Sequence, residues 1–298
     1  MTGTPFDFDA VRKRIERVLK KQIFFIGGPF KSGTTWLQLM LNAHPQIACR
    51  GEGHFTNRMM PAFNDAYGQY ANLIQRKNQA IFSELDGYPS PTPDHLLYIW
   101  STAVLLMLSE YGDIDTIRLI GEKTPDNVRA MPMLHSAFPK AKFINIVRDG
   151  RDVAVSAWFH NLRVSRDWAL KTFGTLERFC DQYATQWQQE VEAGRAFAAD
   201  NPGCVLEMSY EKLHADTRNE MIRVLDFLGA ETSEPSLEVS LNAGRFERVA
   251  QGRANGTEDR NSHFRLGIVG DWRNHLDQTA AARFAEKAQG WLAKMGYS

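Results

Sequence analysis

The stretch from Ile23 to Leu37, IFFIGGPFKSGTTWL, leaves a chain few ways to fold. Ile23 to Ile26 form a short, wholly apolar run that reads as a strand buried on both faces. Gly27, Gly28 and Pro29 impose a tight turn, and Ser32, Thr34 and Thr35 supply hydroxyls where a helix opens and runs to Asn42. A strand delivered straight into a helix N-terminus presents unpaired backbone N–H groups and a partial positive charge, which together cradle an anion. A capped strand-to-helix turn would explain the hydroxyls alone, but the lysine adds a constraint. In the nucleoside-triphosphate loop G-x-x-x-x-G-K-[ST] the lysine follows the last glycine. Here Thr34 follows Gly33 and Lys31 stands two residues before it. From that wall of the loop a lysine reaches a bridging or leaving oxygen rather than straddling terminal phosphates.

The same strand-then-helix order recurs. KFINIV (Lys142 to Val147) precedes RDVAVSAWFHNL, CVLEMSY (Cys204 to Tyr210) precedes TRNEMIRVLDFLG, and a shorter RLIGEK around Ile120 suggests a further strand. Continuous apolar strands alternating with helices predict an α/β fold in three layers, a central parallel sheet flanked by helices, of the kind that carries phosphate-binding loops. Leu176 to Ala199 reads as a long helix with Phe179, Tyr183, Trp187 and Val191 on its core face. With no repeat or low-complexity linker, residues 1–298 are expected to form one domain, opened by a helix over residues 1–20. The turn-rich GYPSPTPD (Gly87 to Asp94) interrupts two helical stretches, and residues 55–110 are expected to shape an acceptor pocket as an insertion beyond the strand ends.

Charge and cysteine content narrow the partners. Lys plus Arg and Asp plus Glu number 35 each, so no global field draws the chain to nucleic acid or an anionic membrane, and an anion site must be built locally. The longest apolar run, Ala103 to Leu108, is far too short to span a bilayer. Cys49, Cys180 and Cys204 lie far apart without a C-x-x-C, which suits reduced thiols in a cytoplasmic protein. No carboxylate cluster has metal-ligand spacing, and no metal is expected.

Two more segments concern phosphate. In INIVRDGRDVAVSAWFH, Arg148 ends a strand and Ser156 follows eight residues on, two helical turns into the next element. An arginine fork with a hydroxyl at that distance suits a phosphate monoester, although Arg148, Asp149, Arg151 and Asp152 could also pair among themselves. Near the C-terminus stands FRLGIVGDWRNHL. Together, PFKSGTTW, the Arg148–Ser156 segment and this last run resemble, in order and from residue 23 to 275, the three motifs of the sulfotransferases that use 3′-phosphoadenosine 5′-phosphosulfate (PAPS). The first match carries Phe30 between the proline and the lysine.

That resemblance implies roles. Lys31, Ser32, Gly33, Thr34 and Thr35 would bind the 5′-phosphosulfate, with Lys31 assisting departure of the bridging oxygen. Trp36 would stack on the adenine, though core packing suits its position equally. Arg148, Ser156, Arg265 and the Gly267 backbone would hold the 3′-phosphate, with Leu266 where the family usually has lysine, and Tyr210 and Phe246 fall where relatives hold the adenine. The cytosolic small-molecule branch carries its general base as histidine in K-T-H; here GEKTPDN puts Pro125 in that place. CRGEGHFTNR followed by EKTP instead resembles the carbohydrate-modifying branch, such as heparan sulfate sulfotransferases. On that likeness Glu52 is the base, with His54 beside it as the alternative and Lys123 stabilising the transferring oxygens. The mixture of branches fits a soluble bacterial-type enzyme. Its product nucleotide would be 3′,5′-adenosine bisphosphate (PAP), and its acceptor a small molecule, lipid or sugar bearing a hydroxyl or amine. A P-loop nucleotide kinase or NTPase is the rival enzyme, but it lacks the post-glycine lysine. A non-catalytic nucleotide-binding module is the rival of another class.

Overall fold

A computed structural model describes residues 7–111 and 115–297. Five parallel strands, β1 (Gln22–Gly27), β2 (Ile47–Gly51), β3 (Leu119–Lys123), β4 (Lys142–Val147) and β5 (Val205–Ser209), lie in the order β2-β3-β1-β4-β5. The strand alternation assigns faces. Ile23 and Phe25 pack with Phe143, Val128, Leu134 and Trp100 on one side, whereas Phe24 and Ile26 meet Leu37, Met40, Ile144 and Leu225 on the other. Helices α1 (Phe8–Leu19), α4 (Pro93–Leu108) and α5 (Asn127–Ala137) cover the first face; α2 (Thr34–Ala43), α9 (Thr217–Leu228) and α10 (Glu234–Gly244) cover the second. A third core joins α6 (Gly150–Phe173), α7 (Leu176–Asp200) and α12 (Gln278–Lys287) around Trp187 and Phe284. The three-layer α/β architecture is the one expected. The helix expected over residues 1–20 begins at Phe8; residues 1–6 lie outside the described residues.

β2 was not anticipated. The short strand around Ile120 is β3, and it lies between β2 and β1 rather than at an edge. Gly121 lets it sit there, because a Cβ at Gly121 would lie 2.1 Å from the Phe24 ring of β1. Residues 55–110 fold as a short π-helical turn (Phe55–Met59), α3 (Met60–Ile81), a loop and α4; α3 has no buried residue.

Chain order places the site. From β1 the chain moves outward to β2, returns to β3, and then crosses β1 to reach β4. The segments leaving β1 and β4 therefore diverge, and a crevice opens beyond the carboxyl ends of these two strands. Gly28 makes that approach possible: its φ is 146°, and a Cβ there would lie 2.1 Å from the Ile146 carbonyl oxygen.

Candidate active site

The loop after β1 turns on two left-handed residues, Lys31 (φ 72°) and Gly33 (φ 94°). Gly33 needs its missing side chain as well, since a Cβ would meet the Tyr210 ring at 2.5 Å. No side chain caps α2, and the buried Ser32 hydroxyl has no hydrogen-bond partner. The helix opens on uncommitted donors, as an anion cradle requires. Lys31 is non-glycine in a conformation that a Cβ tolerates only where its surroundings enforce it. Burial, then the charges of Arg163, Arg148 and Lys123, lower its pKa from 10.5 to about 7, with Glu52 opposing them.

A cavity of about 450 Å³ lies beside this loop, a volume within the range of small-molecule sites. It brings together Lys31, Gly33, Thr34, Thr35 and Trp36 from the loop and the start of α2, Arg148 from just beyond β4, Ser156 from α6, and Tyr210, Phe246, Arg265, Leu266 and Gly267 from the C-terminal third. Ser156 therefore faces the cavity rather than solvent. Trp36 contacts Tyr210 edge-on, ring centroids 5.7 Å apart, and its Nε1 donates to the Gly244 carbonyl at 2.7 Å. Packing and cavity lining are thus combined in one side chain. Phe246 packs against Gly267 (φ 74°), where a Cβ would lie 2.3 Å from its ring. None of residues 55–110 lines this cavity.

Arg148 and Arg265 are both part-buried, and both are partly engaged. Arg148 donates to Asp152 Oδ2 at 3.1 Å and to the Ile268 carbonyl at 3.0 Å, and it lies 4.3 Å from the centre of the Tyr210 ring. Arg151 pairs with Asp149 at 2.7 Å, so the pairing among these four charges is real and coexists with the cavity. Arg265 bonds Glu258 at 2.5 Å and also Asp271. The Nε of each arginine is buried without a partner.

A further basic-to-acidic contact lies on the Lys31 side. Lys123, 3% exposed, donates from Nζ to Glu52 Oε1 at 2.5 Å and to Thr35 Oγ1 at 3.1 Å. Glu52 lines the cavity; Lys123 stands behind it and joins it to the loop. His54 adopts a left-handed conformation (φ 50°), with Nε2 3.5 Å from Glu52 Oε2 and Nδ1 3.2 Å from Asn57 Oδ1. It supports Glu52 from outside the cavity wall. Pro125, at the place of the K-T-H histidine expected from the cytosolic small-molecule branch, lines the cavity, and its carbonyl accepts the Gly28 N–H at 3.1 Å.

Several participants were not anticipated as site residues. His263 lines the cavity, and desolvation by the surrounding protein, followed by the Lys31 charge, lowers its pKa to about 3. His160, 6.3 Å from it between ring centroids and packed on Phe30, is lowered to about 4, first by burial and then by Lys31. The His263 signal was its place two residues before Arg265. Asp152 was visible as one of a charged quartet, but not as the carboxylate that also accepts the Gly270 and Trp272 N–H groups at 2.7 and 2.9 Å. Among the described residues, no group of three His, Cys, Asp or Glu is arranged to hold a metal ion, and no helix is long and apolar enough to cross a membrane.

Comparison with known proteins gives the fold and the family. The chain is 24% identical to protein-tyrosine sulfotransferase 2 of Gallus gallus over 92% of its length and 69% of that protein's. It is 26% identical to cytosolic sulfotransferase 1 of Arabidopsis thaliana over 83% and 71%. Among solved structures, mouse sulfotransferase SULT7A1 complexed with PAP superposes with a TM-score of 0.57 at 20% identity, covering 95% of this chain and 88% of that one. Retinol dehydratase in a complex with retinol and PAP gives 0.54 at 16% identity, over 95% and 86%. At these identities the structures speak for the fold. The model of the sulfotransferase family matches residues 23–234, from the first strand to beyond α9, and by that match the chain belongs to the sulfotransferase family.

Proposed function

We propose that this protein moves a sulfuryl group from PAPS to a hydroxyl or amine by in-line displacement, with Lys31 at the leaving group and Glu52 as proton acceptor. The observation that carries the reading is the convergence of Lys31, Glu52, Arg148 and Ser156 on one cavity, with Lys123 tying Glu52 to the loop through Thr35. Two donors on cavity-lining residues without a protein partner, Arg148 Nε and Arg265 Nε, suit a ligand carrying an anionic group. Trp36, Tyr210 and Phe246 supply flat apolar surface for a base between them.

The chemistry asked of the protein is mostly positioning and charge. A bond forms between the acceptor atom and sulfur while the bond from sulfur to the 5′-phosphate oxygen breaks, and the acceptor's proton passes to Glu52. The Lys31 ammonium compensates charge that builds on the departing oxygen, and Lys123 does so for the sulfuryl oxygens. His54, beside Glu52, is the second candidate for the proton. The acceptor is a small molecule, lipid or sugar. Titration calorimetry with PAP, against ATP plus Mg²⁺, tests the reading. Tight binding of PAP with ATP far weaker is expected. Equal binding, or a preference for ATP, removes the 3′-phosphate assignment and returns the loop to a nucleotide kinase, NTPase or binding module.

A further inference from the structure

Glu52 sits on a segment, Glu52 to His54, that belongs to neither helix nor strand. A base displaced by about 1 Å loses on the order of 100-fold in rate, so something must hold this backbone. β2 and β3 pair with Arg50 opposite Glu122 and Gly51 opposite Lys123. Neighbouring residues of a strand face opposite ways. Lys123 reaches the Glu52 side chain, and Glu122, 1% exposed, turns to the other side of the same segment.

We infer that Glu122 is a positioning residue for the Glu52 base, a role resting on the reading of Glu52 given above. Its Oε1 accepts the Gly53 N–H at 2.9 Å and the Thr124 hydroxyl at 2.6 Å, and its Oε2 accepts from Asn127 Nδ2 at 2.8 Å. Thr124 Oγ1 in turn accepts the His54 N–H at 3.3 Å, so the two amides after Glu52 are held by one cluster. The cluster is anchored in the sheet centre, because Asn127 Nδ2 also bonds the Ile26 carbonyl at 3.2 Å, at the end of the strand that leads into the Lys31 loop. Base segment and leaving-group loop are thereby referred to one buried carboxylate. The donor set matches that role, because Gly53 N–H and Asn127 Nδ2 can only donate and leave a group that accepts on both oxygens as the fitting partner. Burying a carboxylate at this depth costs free energy that an apolar side chain would not, and burial does push the Glu122 carboxyl up against three opposing hydrogen bonds. What this carboxylate supplies is geometry.

The test uses the full chain and two readouts. Glu122→Gln keeps size and one acceptor oxygen but turns an NH₂ toward Gly53 N–H or Asn127 Nδ2. Thr124→Val, a milder change, removes one hydroxyl and serves if the glutamine variant folds poorly. Hydrogen exchange of the Gly53 and His54 amides is measured first; protection is expected to fall in both variants while β1 and β4 amides keep theirs. Turnover is then followed as PAP release from PAPS with the best acceptor from a panel of phenols, alcohols and amines. The expected result for Glu122→Gln is a kcat lower by about 10- to 100-fold with PAP affinity and the KM for PAPS unchanged. The double variant with Glu52→Gln should lose no more than Glu52→Gln alone, since both act through one group. Unchanged amide protection, or additive losses in the double variant, overturns the proposal. Full activity in Glu52→Gln overturns the base reading instead, and the exchange result still decides whether Glu122 fixes the segment.

Discussion

A lysine that burial and three neighbouring cations bring down to about 7 is half neutral at physiological pH, and only its cationic form can meet charge on a leaving oxygen. In the free protein Lys31 is charged below pH 7 and loses its proton as the pH rises through it. The kcat/KM for PAPS, which reports the free enzyme, is therefore expected to fall above about pH 7, whereas kcat, measured with the donor's negative charges beside the lysine, should hold to higher pH. Lys31→Arg, always charged, should remove that alkaline limb whatever it does to the rate. Profiles of both constants from about pH 6 to 9 check this, and a kcat/KM limb that survives in the arginine variant would assign it to another group. At this scale the sequence was legible where a residue's place follows from its chain neighbours. Lys31, Arg148, Ser156 and Trp36 stand in runs whose order alone suggests an anion site, and all four line the cavity. Glu122, Asp152 and His160 were not legible as site residues. A carboxylate or imidazole reads the same in a sequence whether exposed or buried, and only the tertiary fold gives Glu122 its three donors.

Elements were legible in proportion to their hydrophobic continuity. β1 and β4 present long apolar runs and were read with nearly their observed bounds, and α7 declared itself by its aromatic spacing. β2 escaped because only Ile47, Ala48 and Cys49 are buried before Arg50 and Gly51 turn to the surface. α7 carries a cost that its periodicity hides. Glu190, 4% exposed, faces Arg129 of α5 at 3.4 Å and accepts from Gln186 at 3.0 Å, while its Oε2 has no partner. Burial raises its pKa from 4.5 to about 7. The unfolded chain thus gives up this proton first, and stability is lost as the pH climbs from about 4.5 through 7, by at most about 3 kcal/mol. Glu190→Gln stays neutral and is expected to gain on the parent protein steadily between about pH 5 and 8, with the difference levelling off above. Thermal melts across that range measure it. A difference independent of pH would mean that Arg129 holds the carboxylate ionised throughout.

On the proposed reading the whole molecule has to bring residues more than a hundred positions apart onto one nucleotide, and Asp152 is the joint between them. It is buried at the start of α6, and its Oδ2 takes both the Arg148 guanidinium at 3.1 Å and the Gly270 N–H at 2.7 Å, while Oδ1 takes the Trp272 N–H at 2.9 Å. Arg148 reaches back to the same C-terminal segment through the Ile268 carbonyl, and the Arg151 guanidinium lies 3.9 Å over the Trp272 ring. The strand-end arginine and the segment that carries Arg265 and Gly267 thus share a fixed relation before any ligand arrives. Hydrogen bonds to a charged group are each worth about 1.5–3 kcal/mol, so Asp152→Asn, which keeps one acceptor oxygen for three donors, should weaken PAP binding by about 10- to 100-fold. The loss should be selective. AMP lacks the 3′-phosphate that Arg148, Ser156 and Arg265 are assigned, so its weaker binding should change little, and the ratio of PAP to AMP affinity should collapse toward that of the 5′-phosphate alone. Calorimetry with the two nucleotides measures that ratio directly. An equal loss for both would make Asp152 a brace of the fold at large, whereas a loss confined to PAP would place the 3′-phosphate between the two segments that Asp152 joins.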